Sequence, residues 1–257
     1  MPPEPTPERV HALIKLVSNY PSSREKLNKI MVMEDIFGKH TDIFTKTIRC
    51  AEELELIKEK DGIVNINTSN EITRCYCSFR KHIAELVFSQ KDTTFYKITE
   101  WYLAQNDQVI SFYSWEDVAA KASQDGIEVV ENDMLGWRWW ASFLGIGYLH
   151  GAFLIPSLTT MLEDCLDNEF FHSDKRFTAY NLVNYLETLY PVIQKSRQDR
   201  NLGLGFSNGL LVLENKGLIE IIEQRDADRL ALYPIHPSFK KEFSHIVITR
   251  GELNAMD

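Results

Sequence analysis

Four cysteines in 257 residues, at the irregular positions Cys50, Cys75, Cys77 and Cys165, are too few and too scattered for a disulfide framework. No signal-peptide pattern opens the sequence, so the expected compartment is a reducing cytoplasm. Metal-ligand patterns are also missing. Cys75-x-Cys77 with His82 nearby has no zinc-finger spacing and no second pair, and H-E-x-x-H does not occur. Gly203-x-Gly205-x-x-x-Gly209 departs from G-x-G-x-x-G and carries no Lys-Ser/Thr for a P-loop, so these glycines read as a loop that turns sharply. A G-x-S-x-G elbow is absent. Glu163, Asp164 and Asp167 lie close in sequence without a paired base, which reads as a solvated acidic face. The expectation is therefore a chain with no catalytic residues, no metal and no cofactor.

Long apolar runs are equally scarce. The most apolar stretch, Trp139 to Pro156, runs for 18 residues without a formal charge but is broken by Ser142, Gly145, Gly147, His150 and Gly151, with the single Arg138 as its nearest basic flank. A buried helical hairpin fits that composition better than a membrane span.

What is present is hydrophobic residue at 44%, enough for a substantial core, and a net charge of −9 that is unevenly placed. Residues 91–170 hold thirteen acidic and four basic side chains, while 171–257 hold eleven of each. All five tryptophans (Trp101, Trp115, Trp137, Trp139, Trp140) fall in that acidic stretch. Two nearly neutral ends thus flank an acidic, tryptophan-rich middle.

A pattern of helix, Leu-Ile, polar turn and second apolar strand occurs near both ends. The first copy runs from Ile48 through Leu56-Ile57 to Ile63-Val64-Asn65-Ile66, and the second from Leu210 through Leu218-Ile219 to Leu230-Ala231-Leu232-Tyr233. Upstream of the first copy, Thr6-Pro7 opens a helix with a Val10, Leu13, Ile14, Val17 stripe. Ser22 with Glu25 offers a capping box for a second helix. A third helix covers about Thr41 to Leu54, and Asp61-Gly62 reads as a hairpin turn. Ser114 and Ser157 are expected caps in the middle, Ser207 caps the helix before the second ribbon, and His236 to Phe243 forms a closing helix. The fold class read from this is mainly α: a winged helix-turn-helix over 1–70, an acidic helical middle over 71–170, and a second winged helix over 171–257.

Winged helices invite DNA, with the third helix in the major groove. On the first module Lys39, Lys46 and Arg49 are the candidate contacts, but Asp42, Glu52 and Glu53 share the helix. On the second, Lys195, Arg197 and Arg200 cluster before a mostly apolar helix. Backbone contact to duplex DNA and a merely solvated face both stand as readings, because phosphate affinity needs a cationic excess that neither module has. Trp137 and Trp140, three apart on one helix face, read either as core or as an anchor for a basic partner protein.

Asn132-Asp133-Met134 through Trp140-Ala141-Ser142-Phe143-Leu144-Gly145, followed by Leu154-Ile155-Pro156-Ser157-Leu158-Thr159, resembles the middle of the DpdG-like accessory proteins of bacterial phage-defence clusters. In that resemblance the first module ends in Leu-Gly-Leu-Ile, where this chain has Leu54-Glu55-Leu56-Ile57. A Leu-Pro-Val-like step resembles Leu189-Tyr190-Pro191-Val192. The doubled module also resembles the tandem winged-helix subunits that accompany SMC-type ATPases. Both resemblances imply a non-catalytic accessory or scaffold subunit beside an SMC-like ATPase, helicase or nuclease, with duplex DNA as a weak secondary ligand. The alternative is a dimeric transcriptional regulator on a specific site.

Overall fold

A computed structural model describes residues 5–33, 41–151, 153–166, 171, 176–234 and 241–249. The chain is mainly helical with small antiparallel sheets. It divides into two compact units: residues 1–87 with 130–143, and residues 88–129 with 144–257. Of the acidic middle, residues 71–87 and 130–143 fall in the first unit and residues 88–129 and 144–170 in the second.

In the first unit, α1 (Pro7–Asn19) begins as expected at Thr6, with proline at the first position, and buries Val10, Leu13, Ile14 and Val17. α2 (Arg24–Met31) is capped one residue later than expected. Ser23 accepts from the Lys26 amide, while Ser22 makes an antiparallel bridge with Val64. α3 (Thr41–Glu53) runs into the hairpin of β1 (Ile57–Lys60) and β2 (Ile63–Ile66), paired from Ile57↔Ile66 to Lys60↔Ile63. Asp61 and Gly62 at the tip have φ of 53° and 75°, the double positive φ of a two-residue turn that matches strand twist. α4 (Asn70–Arg74) and α5 (Tyr76–Ser89) follow, and α8 (Glu131–Phe143) completes the unit from a distant part of the chain.

The residues of the second unit form α6 (Thr94–Ala104), a 3-10 turn at Asn106–Ser111, α7 (Trp115–Gln124), a hairpin of β3 (Gly147–His150) and β4 (Phe153–Pro156), and α9 (Thr159–Leu166). β5 (Arg176–Thr178), α10 (Ala179–Leu189), a 3-10 turn at Pro191–Ser196, α11 (Leu204–Asn215) and β6 (Ile219–Ile222) come next. β7 (Leu230–Ala231), β8 (Glu242–Phe243) and β9 (His245–Ile248) close the described chain. Ser114 caps α7 as expected, accepting from the Asp117 amide at 3.1 Å.

Several expectations are corrected. The stretch from Trp139 to Pro156 is not a helical hairpin: α8 stops at Phe143 and the chain turns at Gly145 (φ 79°) into β3 and β4. A side chain at Gly145 would place its Cβ 2.6 Å from the Met161 amide nitrogen, so both the turn and the close approach require glycine here. The second ribbon is not a hairpin either. β6 pairs with β9, in the order β5-β9-β6, and β7 pairs with β8. Of the expected closing helix, residues 236–240 lie outside the described residues and Glu242–Phe243 is strand. The glycines at 203, 205 and 209 do not make a sharp turn. Gly203 caps α11, and a Cβ on Gly209 would stand 2.8 Å from Leu162 Cδ1 and 3.0 Å from the Leu158 carbonyl carbon, so it lets α11 lie close against α9. Ser207 sits inside α11 and accepts from the Tyr233 amide at 2.8 Å.

α3 and α11 end in the same way. After α3, Leu56 N–H bonds to the Ala51 carbonyl and Glu55 N–H to Glu52, both at 2.9 Å; after α11, Leu218 N–H bonds to Leu213 and Gly217 N–H to Glu214. This is the paired bonding of a Schellman end, with a left-handed residue between helix and strand. Glu55 occupies that position with φ 55°, Gly217 with φ 68°. Glutamate carries there a steric cost on the order of 1–2 kcal/mol that glycine avoids.

Candidate functional site

The expected cations of the first unit are dispersed. Lys39 lies outside the described residues. Lys46 and Arg49 are exposed on α3, and Arg49 bonds Glu53 one turn later at 2.9 Å. Arg24 bonds Glu52 of α3 at 2.5 Å and Glu59 of β1 at 2.6 Å, which ties the helix to the hairpin through carboxylates. Lys58, Glu59 and Lys60 alternate along β1 in solvent. The face is one of mixed charge.

Trp137 and Trp140 are 2% and 5% exposed. Trp140 Nε1 donates to the Pro5 carbonyl at 2.9 Å and its ring stands edge-on to Phe143. Phe143 in turn packs against Tyr76 and Phe79, which meet His11 of α1. Burial holds the His11 imidazole below its ordinary range, opposed by a hydrogen bond to the Ile72 backbone. The two indoles are core, so neither offers a free face to a partner. The exposed tryptophan of α8 is Trp139, 39% exposed, with the Arg138 guanidinium over its ring at 5.1 Å.

In the second unit the acidic residues of the middle largely serve as acceptors. Asp125 accepts from Trp101 Nε1 at 2.7 Å, Asp107 from the Tyr233 hydroxyl at 2.8 Å, Glu100 from Lys195 at 2.6 Å, and Glu163 from Lys216. Sequence reasoning saw only a solvated acidic stretch and missed these partners, which lie from 24 to 126 residues away along the chain. Two of the three expected loop cations are consumed in this way. Lys195 is on Glu100, and Arg197 Nε sits 3.3 Å from a carboxylate oxygen of Glu187, itself 8% exposed.

Burial raises the Glu187 pKa, and the Arg197 charge pulls it back down. A carboxyl raised in the folded state contributes stability at pH below its unfolded pKa and loses it as pH rises through the folded one. Glu187→Gln has no such titration. In urea titrations stepped between about pH 4 and pH 7, a window around the ordinary glutamate value, wild type minus Glu187→Gln should fall with pH; a flat or rising difference contradicts this account.

Arg200 is different. With Asn201, Arg225, Ala227, Asp228, Arg229, Leu230, Ala231 and Glu242 it lines a cleft of about 450 Å³. Its carbonyl accepts from the Ala231 amide at 2.8 Å, and the Leu202 amide donates to the Ala231 carbonyl at 2.9 Å, fixing the 198–202 segment to β7. Arg229 stitches the opposite loop: Nε donates to the Gln224 carbonyl, Nη2 to the Arg225 carbonyl, and Nη1 to Glu223.

A separate surface feature lies on the 3-10 turn and the residues after it. Tyr113 is 91% and Ile110 69% exposed, while Phe112 between them is buried and stacks on Trp101 at 6.1 Å. The Tyr113 amide donates to an Asp117 carboxylate oxygen at 3.3 Å, so the exposed pair sits on a pinned backbone. Asp107, Glu116 and Asp117 flank it in sequence. Exposed aromatic residues in this stretch were foreseen only among the tryptophans; the 3-10 turn that lifts Ile110 and Tyr113 outward has no clear sequence signature.

Among the described residues no group of three or more His, Cys, Asp or Glu is placed to hold a metal ion, and no helix is long and apolar enough to cross a membrane. A family model described as DpdG-like matches residues 1–227. No curated protein and no solved structure matches the chain.

Proposed function

Because the chain belongs to the DpdG-like family, whose membership suggests a role in a DNA-modification or defence cluster, we propose that it is a non-catalytic accessory subunit that docks partner proteins of such a cluster. The partners in this reading are an SMC-like ATPase, helicase or nuclease, and the chemistry on DNA is theirs. The cytoplasm is the compartment this role requires. The first unit acts in it as a winged helix-turn-helix: three helices lead into a hairpin, and an isolated bridge of Ser22 with Val64 ties the link between α1 and α2 to that hairpin. With α3 carrying Glu52 and Glu53 beside Lys46 and Arg49, that module suits protein contact better than groove reading.

The observation that carries the docking role is the Ile110–Tyr113 pair. A pinned backbone that holds a tyrosine 91% in solvent has not placed it there for the fold's own stability. Tyrosine is a frequent binding hot spot, and the flanking carboxylates select a partner with a basic rim. The test is co-expression with the proteins encoded beside it, followed by size-exclusion chromatography. Wild type should form a stoichiometric complex, and Tyr113→Ala with Ile110→Asp should weaken it by roughly tenfold or more, the loss of one or two hot-spot residues. A complex indifferent to both changes removes the docking role from this patch. ATP hydrolysis, DNA cleavage or high-affinity sequence-specific DNA binding by the purified chain alone overturns the accessory reading.

A further inference from the structure

We propose that the cleft between the 198–202 segment and the 223–231 loop binds a phosphoryl group, with Arg200 and Arg225 as its cationic ligands. The inference is independent of partner docking at Tyr113. It starts from how this acidic chain spends its cations. From 195 onward, Lys195, Arg197, Lys216, Arg229 and Lys241 each sit on a carboxylate. Arg200 and Arg225 do not pair with any described residue, although Asp228 and Glu242 line the same cleft. Two guanidinium groups that line one cleft without a described counter-charge repel one another, and an oxyanion bound in the cleft relieves that repulsion.

The backbone behind both arginines is fixed. Arg200 is held through its own carbonyl by the Ala231 amide, next to the parallel bridge of Asn201 with Ala231. Arg225 is held through its carbonyl by Arg229 Nη2 at 3.0 Å. Arg229 is thus a positioning residue: its donors are committed to Gln224, Arg225, Glu223 and Glu242 rather than to a ligand. That contact also places Glu242 beside a cation, which leaves Asp228 as the cleft-wall carboxylate with no partner among the described residues. Asn201, exposed on the same wall, adds a neutral donor. Planar guanidinium forks on a pre-set backbone are suited to the oxygens of a phosphate, and no backbone ordering is left for binding to supply.

The same chemistry is offered by a nucleic-acid backbone and by a small phosphate ester, and the two are separable. Fluorescence anisotropy with a labelled duplex and a labelled single strand gives one arm. Calorimetry with inorganic phosphate and ATP gives the other. All arms use the full chain, as wild type, Arg200→Gln/Arg225→Gln, Asp228→Asn, and Lys15→Gln, an exposed residue of α1, as a control in the first unit. If the ligand is duplex, loss of two phosphate contacts should lower the slope of log K against log salt by about 1.8 between roughly 50 and 200 mM salt. The control should leave binding unchanged. If the ligand is a small phosphate ester, calorimetric heat should be present in wild type and lost in the double variant. Asp228→Asn removes the opposing charge and should tighten whichever probe binds severalfold. It also decides the matter if the double variant fails to fold. Binding equal in wild type and double variant for every probe, no binding of any probe to wild type, or no tightening by Asp228→Asn overturns the proposal.

Discussion

Trp137→Ala should lower the unfolding free energy by roughly 3–5 kcal/mol, the range for emptying a fully buried aromatic site. Trp137 is the largest fully buried side chain described, and it lies on α8 among the buried Met134, Trp140 and Ala141. The neighbouring substitution sets the scale. Trp139→Ala removes a ring that is 39% in solvent and loses chiefly the contact with the Arg138 guanidinium, worth about 0.5–1 kcal/mol. Urea unfolding followed by far-ultraviolet circular dichroism separates the two. A Trp137→Ala cost below that of Trp139→Ala would mean that the α8 stripe is a surface and not a core. The same comparison bears on docking, because a residue that costs this much to remove holds the fold and is not free to anchor a partner.

The second large effect belongs to Arg197. Its guanidinium is the counter-charge described for Glu187, a carboxylate on the buried side of α10. Arg197→Ala leaves that carboxylate buried and unpaired, a change that costs about 3 kcal/mol in comparable settings. Arg197→Met with Glu187→Leu removes both charges, keeps the volume and should recover most of the loss. Lys195→Ala, two residues away, breaks an ion pair whose lysine is 68% exposed and should cost no more than about 1 kcal/mol. Thermal melts of the three variants give the ordering. If Arg197→Ala and Lys195→Ala are equal, the burial of Glu187 carries no energetic weight. The three cations that sequence grouped together then have three separate roles: Lys195 bonds at the surface, Arg197 neutralises a buried acid, and Arg200 faces the cleft.

What could be read from the sequence was local. Thr6-Pro7 places the start of α1, Ser114 caps α7, and Asp61-Gly62 sets the hairpin, because each depends on residues within one turn of one another. The helix-to-strand joints at Glu55 and Gly217 were visible for the same reason. The partner of β6 was not, since the nearer strand, β7, is followed by a loop that Arg229 folds onto itself while β9 takes the pairing from 23 to 29 residues away. The β3–β4 hairpin did leave a trace in Gly145, Gly147 and Gly151, three glycines inside an apolar run, two of them with positive φ. Dense tryptophans just upstream biased that run toward helix. The role of Glu100, Asp107 and Asp125 as acceptors could not be read at all, because each depends on a partner that only the folded chain brings near.

The boundary between Val87 and Phe88 has a consequence for how the chain is made. Chains are synthesised from the amino terminus at about 5–20 residues per second. When residue 87 has emerged, α1 to α4 and most of α5 can form, but the helix bearing Trp137, Trp140 and Phe143 does not yet exist. Until it arrives, His11, Tyr76 and Phe79 present an aromatic face to whatever is nearby. The intervening residues 88–129 belong to the other unit, which itself needs the far carboxyl-terminal part. The nascent chain therefore passes through a long interval with one half-built core waiting on another. A fragment cut at residue 87 would be trapped permanently in that state.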